Sequence, residues 1–263
     1  MKLAAIGSNC IDHYTNTDDV INCPGGGPVN MAVYTIRNGG QASYIGLIGD
    51  DLNGKIMYDA LKDKGVDVSH LRVEKGKTAV TEVELINGER VFGVYDEGVL
   101  SGYKLLDEDI DFVCSHDIVI CDLWGKVERQ FKDLKRRGVL TAFDCADRPE
   151  DDRAQTAMPY CDYLFFSSDD KDDEVIRKQL KDYQSKGPKL VVAMRGEEGS
   201  LCYDGEQYYG YGIIECDVVD TLGAGDSYIA GFLGGIVDGL CIEECMKKGA
   251  QTASETIGYF VAW

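Results

Sequence analysis

A chain of 263 residues, 44% of them hydrophobic and five of them proline, is long enough to bury a substantial core and argues against a long disordered linker. Its formal net charge of −19 opposes nucleic acid and anionic membrane surfaces as partners, so any polyphosphate it binds must be neutralised locally, by backbone amides or a divalent cation. The ten cysteines run from Cys10 to Cys245 without a CxxC pair and read as reduced core thiols; with no leader-like N-terminal segment and no 18-residue apolar run, a cytoplasmic protein is expected.

Residues 3–6 read as a short buried strand closed by Gly7-Ser8-Asn9, and Asp12, just beyond it, reads locally as a turn residue. Pro24-Gly25-Gly26-Gly27-Pro28 forces an irregular loop, after which 29–36 has helical spacing with a stop at Asn38-Gly39-Gly40. This is not a dinucleotide fingerprint, whose glycines would follow a strand directly and be answered by an acid at the end of the next one. A strand over 42–48, a Gly49-Asp50-Asp51 turn and an amphipathic helix over 55–64 come next. From 78 to 94 the period changes to two, with Val80, Glu82 and Glu84 opposed to Thr81, Val83 and Leu85, and Asn87-Gly88 supplies a hairpin turn. That pattern predicts an antiparallel ribbon outside the main sheet. Arg90, Asp96 and Glu97 lie on or just after it; charges on an exposed ribbon are more often solvated faces, though a closing lid could carry these onto a ligand.

Beyond residue 104 helices (107–114, 127–137, 173–185) and strands (118–121, 140–143, 163–166, 190–193) give the rhythm of a parallel sheet with crossover helices. Trp124 and Asp144 fall just beyond carboxyl ends of strands, where open α/β sheets bind their ligands. The last two helices are expected over 226–239 and 242–260. Ahead of the first stands Asp220-Thr221-Leu222-Gly223-Ala224-Gly225-Asp226, whose small residues leave backbone N–H groups free for an oxyanion or a phosphate. Asp226 is then either a simple cap or a base facing whatever those amides hold, and the residues alone leave both readings open.

Residues 220–226 with Ala230-Gly231-Phe232-Leu233, taken together with the 24–30 glycine loop, resemble the paired signatures of the PfkB, or ribokinase-like, sugar kinases, and the likeness covers nearly the whole chain. It implies one α/β domain over 1–263: a ribokinase-like three-layer α/β/α domain with a mainly parallel central sheet and a small β lid from about 11–23 and 78–99. It also implies ATP and Mg²⁺ as cofactors and a sugar hydroxyl as acceptor. Asp226 would be the catalytic base and Gly223, Ala224 and Gly225 the anion hole. Asp12, Gly26, Gly27, Asn30 and the lid's Arg90 would bind substrate. Gly196 and Gly199, in Met194-Arg195-Gly196-Glu197-Glu198-Gly199, would lie beneath the nucleotide, with Thr221, Thr252 and Thr256 beside it. Many members carry an NxxE motif where this chain has Ser167-Ser168-Asp169-Asp170, so Asp170 is expected to replace the glutamate that organises Mg²⁺. Some members bind K⁺ near positions matching Asp220 and Leu222, which leaves K⁺ open here. Residues 5–12, 89–99, 123–125 and 141–144 most resemble the members that phosphorylate O6 of a fructosamine, a sugar joined to the amine of an amino acid. A family kinase for another sugar or a nucleoside, or a non-catalytic sensor, would share these motifs. The exposed edge of the ribbon offers a second subunit a place to pair, which leaves the oligomeric state open between a monomer and a homodimer.

Overall fold

Two sheets form in the computed structural model, which describes residues 1–16, 21–86 and 89–263. Along the chain the strands are β1 (Lys2–Ile6), β2 (Cys10–Tyr14), β3 (Ile21–Gly25), β4 (Gln41–Gly49), β5 (Leu71–Glu74), β6 (Val80–Ile86), β7 (Glu89–Asp96), β8 (Ile118–Asp122), β9 (Leu140–Asp144), β10 (Tyr163–Ser167), β11 (Leu190–Met194), β12 (Ser200–Tyr203) and β13 (Tyr208–Tyr211). The helices are α1 (Gly27–Arg37), α2 (Leu52–Asp63), α3 (Asp107–Val113), α4 (Phe131–Arg136), α5 (Asp152–Ala157), α6 (Asp173–Gln184), α7 (Ala224–Val237) and α8 (Ile242–Thr256).

The large sheet has the order β13-β12-β11-β10-β9-β8-β1-β4-β5, parallel except for the hairpin β12–β13 at one edge. Its central strands are apolar at nearly every position, as in Ile118-Val119-Ile120-Cys121 and Leu190-Val191-Val192-Ala193, because helices cover both faces. Successive residues alternate between two cores. Ile6, Val119, Phe143, Phe166 and Val191 pack with Ile110 of α3, Phe131 of α4, Ala154 of α5 and Leu180 of α6. Leu3, Ile118, Phe165 and Val192 pack with Val33 of α1, Leu61 of α2, Phe232 of α7 and Met246 of α8. The chain leaves β1 toward β4 and β5 on one side, then returns at β8 and steps through β9, β10 and β11 on the other. The order therefore reverses between β1 and β8, which opens a crevice at their carboxyl ends.

The small sheet, β3-β2-β6-β7, is the expected lid, with β6 and β7 antiparallel as the alternation required. The Asn87-Gly88 turn and residues 17–20 of the lid lie outside the described residues. The outer strand β7 exposes Val91, Phe92 and Val94.

Several boundaries depart from the sequence reading. The helix expected over 127–137 shrinks to α4, because Lys126 adopts a left-handed conformation (φ 58°) and residues up to Gln130 are still turning. α8 stops at Thr256, where the Ile257 carbonyl is taken by the amides of Val219 and Asp220 and the chain folds back. α7 begins at Ala224, two residues before the expected start, which puts Asp226 at its third position. The short strands β2, β3, β5, β12 and β13 and the helix α5 were not legible as elements, since runs of four to six residues carry little periodicity. Among the described residues no two cysteines form a disulfide, although Cys216 and Cys241 are exposed rather than in the core, and no helix is long and apolar enough to cross a membrane.

Candidate active site

The crevice is built from four chain segments. At the end of β1, Asn9 donates to the Tyr44 hydroxyl (2.9 Å) and the Leu47 carbonyl (3.0 Å), and the Ser8 hydroxyl donates across the strand reversal to Asp122 Oδ2 at the end of β8. Gly26 caps α1 at φ 108°, a conformation L residues avoid, and a side-chain carbon there would lie 2.8 Å from Asn9 Cα. The helix can therefore start hard against β1. Gly27 leaves a gap that a side chain would close: a carbon built on it would sit 3.3 Å from Asp226 Oδ1 and 3.4 Å from Asp122 Oδ2.

Opposite stands the start of α7. Its cap, Gly223, is left-handed (φ 77°), and the Ala224 amide already donates to Thr221 O at 3.2 Å. The amides of Gly225 and Asp226 have no acceptor one turn earlier within the helix, so they are the donors this terminus presents. Asp226 does not fold back onto its own helix. Its Oδ2 accepts from Asn30 Nδ2 of α1 at 2.7 Å, and Asn30 Oδ1 in turn accepts from Trp263 Nε1 at 2.7 Å. Asp220 anchors the surroundings, with Oδ1 taking the Leu222 amide (3.0 Å) and Oδ2 the Val261 amide (2.8 Å).

Three carboxyls thus face one crevice, and each is pushed up to about 7. Burial is the leading cause for all of them. For Asp226, Asn30 opposes the shift and Asp122 adds to it. For Asp122, the Ser8 hydroxyl opposes it and Asp144 adds to it, and for Asp144 the charge on Asp226 raises it against the Ala146 amide. Asp122 is 3% exposed and its Oδ1 has no hydrogen-bond partner. A carboxyl with a folded pKa above its unfolded value of 3.8 contributes stability that is intact below about pH 4 and is lost as pH rises through about 7. Asp122→Asn should therefore raise the melting temperature at pH 8 by a few degrees, roughly 1–2 kcal/mol, with the gain shrinking at pH 5. Calorimetric scans at the two pH values check this, and an equal gain at both would contradict it.

The pattern that defines the pfkB family carbohydrate kinases matches residues 1–262. The chain belongs to the pfkB family of carbohydrate kinases. The fructoselysine 6-kinases of Shigella flexneri and Escherichia coli are each 40% identical to it over 261 residues, 99% of this chain and of theirs. The fructosamine kinase FrlD of Bacillus subtilis is 32% identical over 267 residues, 100% of this chain and 93% of its own. Among solved structures, the ribokinase of Arabidopsis thaliana complexed with ribose and ATP superposes with a TM-score of 0.90 at 23% identity, covering 99% of this chain and 94% of that one. The fold is ribokinase-like.

In this pfkB kinase the expected substrate-side residues divide. Asn30, Gly26 and Gly27 meet Asp226, Asp122 and Asn9 in the crevice. Asp12 lies buried on the lid strand β2, where Cys10 Sγ donates to its Oδ1 (3.3 Å) and its Oδ2 lies beside Gly25. Arg90 pairs with Leu85 through the β6–β7 ladder, and its side chain is outside the described residues. Asp96 accepts the Gly98 amide at 3.0 Å in the turn that leaves β7, and Glu97 pairs with Lys126 at 2.7 Å, which ties that end of the lid to the body.

Of the residues expected beside the nucleotide, Gly196 and Gly199 bracket a tight turn in which the Arg195 amide donates to Gly199 O at 2.8 Å, and Thr221 is exposed just before α7. Thr252 and Thr256 are buried, with hydroxyls donating to Lys248 O (3.0 Å) and Thr252 O (2.9 Å); Thr252 fills the space against Gly231 of α7. Asp170 is exposed, and its Oδ1 accepts the Asp172 amide at 2.8 Å. Among the described residues no three acidic, histidine or cysteine side chains are grouped closely enough to cage a metal. A Mg²⁺ ion carried by nucleotide phosphates keeps most of its waters and needs only one or two protein carboxylates.

Sequence reasoning gave no role to Ser8, Asp122 or Trp263. Asp122 had one available signal, a charged residue closing an otherwise apolar strand. Trp263 had none, because nothing local marks an indole as the neighbour of a helix 233 positions away.

Proposed function

We propose that this kinase transfers the γ-phosphoryl group of ATP to the O6 hydroxyl of fructoselysine or a related fructosamine. The relatives at 40% and 32% identity, which carry fructoselysine and fructosamine in their names, support the acceptor. One observation carries the chemistry: Asp226 turns away from its own helix toward the gap at Gly27, beside amides that can hold a phosphate.

The acceptor hydroxyl sits in that gap, within reach of Asp226 Oδ1, while Oδ2 stays with Asn30. As the O6–P bond forms and the bond from phosphorus to ADP breaks, the O6 proton passes to Asp226 Oδ1. The Gly225 and Asp226 amides steady the charge on the migrating phosphoryl group, helped by the positive end of α7. Mg²⁺, with Asp170 as its protein carboxylate, would neutralise charge on the phosphates. The lid strands β2 and β3, carrying Asp12, cover the sugar and exclude water. Ten cysteines without a disulfide support a reducing, cytoplasmic setting.

An ADP-release assay over fructosamines, free ketoses, aldoses and nucleosides tests the acceptor. The expected result is a kcat/KM for fructoselysine at least about 10²-fold above that for fructose, the margin a binding site with dedicated polar partners sustains. Equal or better turnover of a free sugar or a nucleoside would overturn the fructosamine assignment while leaving the kinase intact.

A further inference from the structure

We propose that Trp263 is a positioning residue for the base: its indole N–H locks the amide of Asn30 so that the NH2 group always faces Asp226. The inference rests on Asp226 being the base, as proposed above.

The two hydrogen bonds leave no choice of orientation. An indole nitrogen only donates and a carboxylate only accepts, so Asn30 must offer its oxygen to Trp263 and its nitrogen to Asp226, both at 2.7 Å. Reversing the amide would set N–H against N–H at one end and carbonyl oxygen against carboxylate at the other. With Trp263 in place, Asp226 Oδ2 is permanently engaged and Oδ1 is left toward the gap at Gly27, where the acceptor hydroxyl belongs.

The segment after α8 is secured so that the indole is delivered reliably. Val261, left-handed at φ 61°, donates its amide to Asp220 Oδ2 at 2.8 Å, and the Ala262 carbonyl accepts from the hydroxyls of Tyr34 and, at 3.1 Å, Tyr259. Tyr34 and Asn30 both belong to α1, and Asp220 leads into the loop before α7. The strap therefore ties together the two helix N-termini between which transfer takes place.

Removing the N–H frees Asn30 to turn its oxygen toward Asp226, which disfavours the ionised carboxylate. The other titratable groups facing Asp226 are Asp122 of β8, Asp144 of β9 and Tyr34 of α1, and the substitution leaves all three in place. The test is the pH profile of kcat/KM for wild type, for Trp263→Phe, and for a variant with benzothienylalanine at 263, in which sulfur replaces the N–H at nearly unchanged shape. The expected result is an acid limb near pH 7 in wild type that moves up by about half to one unit in both variants. Activity would be roughly three- to tenfold lower at pH 6, within about twofold at pH 9, and the KM for ATP unchanged. A uniform loss at every pH, or an unmoved limb in the benzothienylalanine variant, would assign Trp263 a packing role only. A wild-type profile with no limb in this range would instead overturn the base reading of Asp226 itself.

Discussion

Asp226→Asn is expected to lower kcat by roughly 10²–10⁴-fold while leaving ATP affinity within about threefold, the signature of a group that acts on a proton in the transition state. The substitution keeps the shape of the side chain and lets its amide oxygen accept from Asn30 as Oδ2 now does, so the crevice should stay assembled. What disappears is the basic oxygen facing Gly27. The same change removes one of three mutually repelling carboxyls, so the variant should melt higher than wild type at pH 8, by roughly 0.5–2 kcal/mol. Single-turnover kinetics with calorimetric ATP binding separate the two effects. Near-normal turnover would remove Asp226 from the role of base, and a large drop in ATP affinity would show that the substitution had disturbed the helix terminus instead.

The second large effect is expected from Gly223→Ala, which should cost about 10²-fold in kcat/KM although it adds a single methyl group. At φ 77° an L residue is disfavoured by about 1–2 kcal/mol. The added carbon would also lie 2.6 Å from the Tyr34 hydroxyl oxygen. That hydroxyl is bonded to the Ala262 carbonyl and has little freedom to move aside. The start of α7 must shift instead, carrying the Gly225 and Asp226 amides and the Asp226 carboxyl with it, and displacements near 1 Å at a reacting centre cost on the order of 10²-fold. Combining it with Tyr34→Phe removes the hydroxyl in the way but not the backbone strain, so partial recovery is expected. If Gly223→Ala alone keeps kcat within threefold of wild type, the helix terminus does not hold the phosphoryl group.

Both effects concern a motif visible in the chain itself. The small residues before an apolar helix announced a helix terminus with free amides, and the alternation of apolar runs announced a parallel sheet with a separate ribbon. Those features are local: glycine marks backbone that only glycine adopts easily, and period two or 3.6 marks which face is buried. Where the local signal was weak, boundaries slipped, as at α4 and at the end of α8, which are set by Lys126 and by the strap from Ile257 onward.

From the amino acids alone came the sheet-and-helix rhythm, the two glycine motifs and Asp226 as a carboxylate that was either cap or base. The folded chain decided which way Asp226 points and what stands beside it. Its partner Asn30 is 196 positions away and that residue's own partner, Trp263, lies 233 positions from Asn30, while Asp122 and Asp144 arrive on neighbouring strands. A hydrogen bond between such distant positions leaves no periodic trace in the chain, because it depends on where whole strands and helices pack, and packing brings their ends together only at the reversal between β1 and β8.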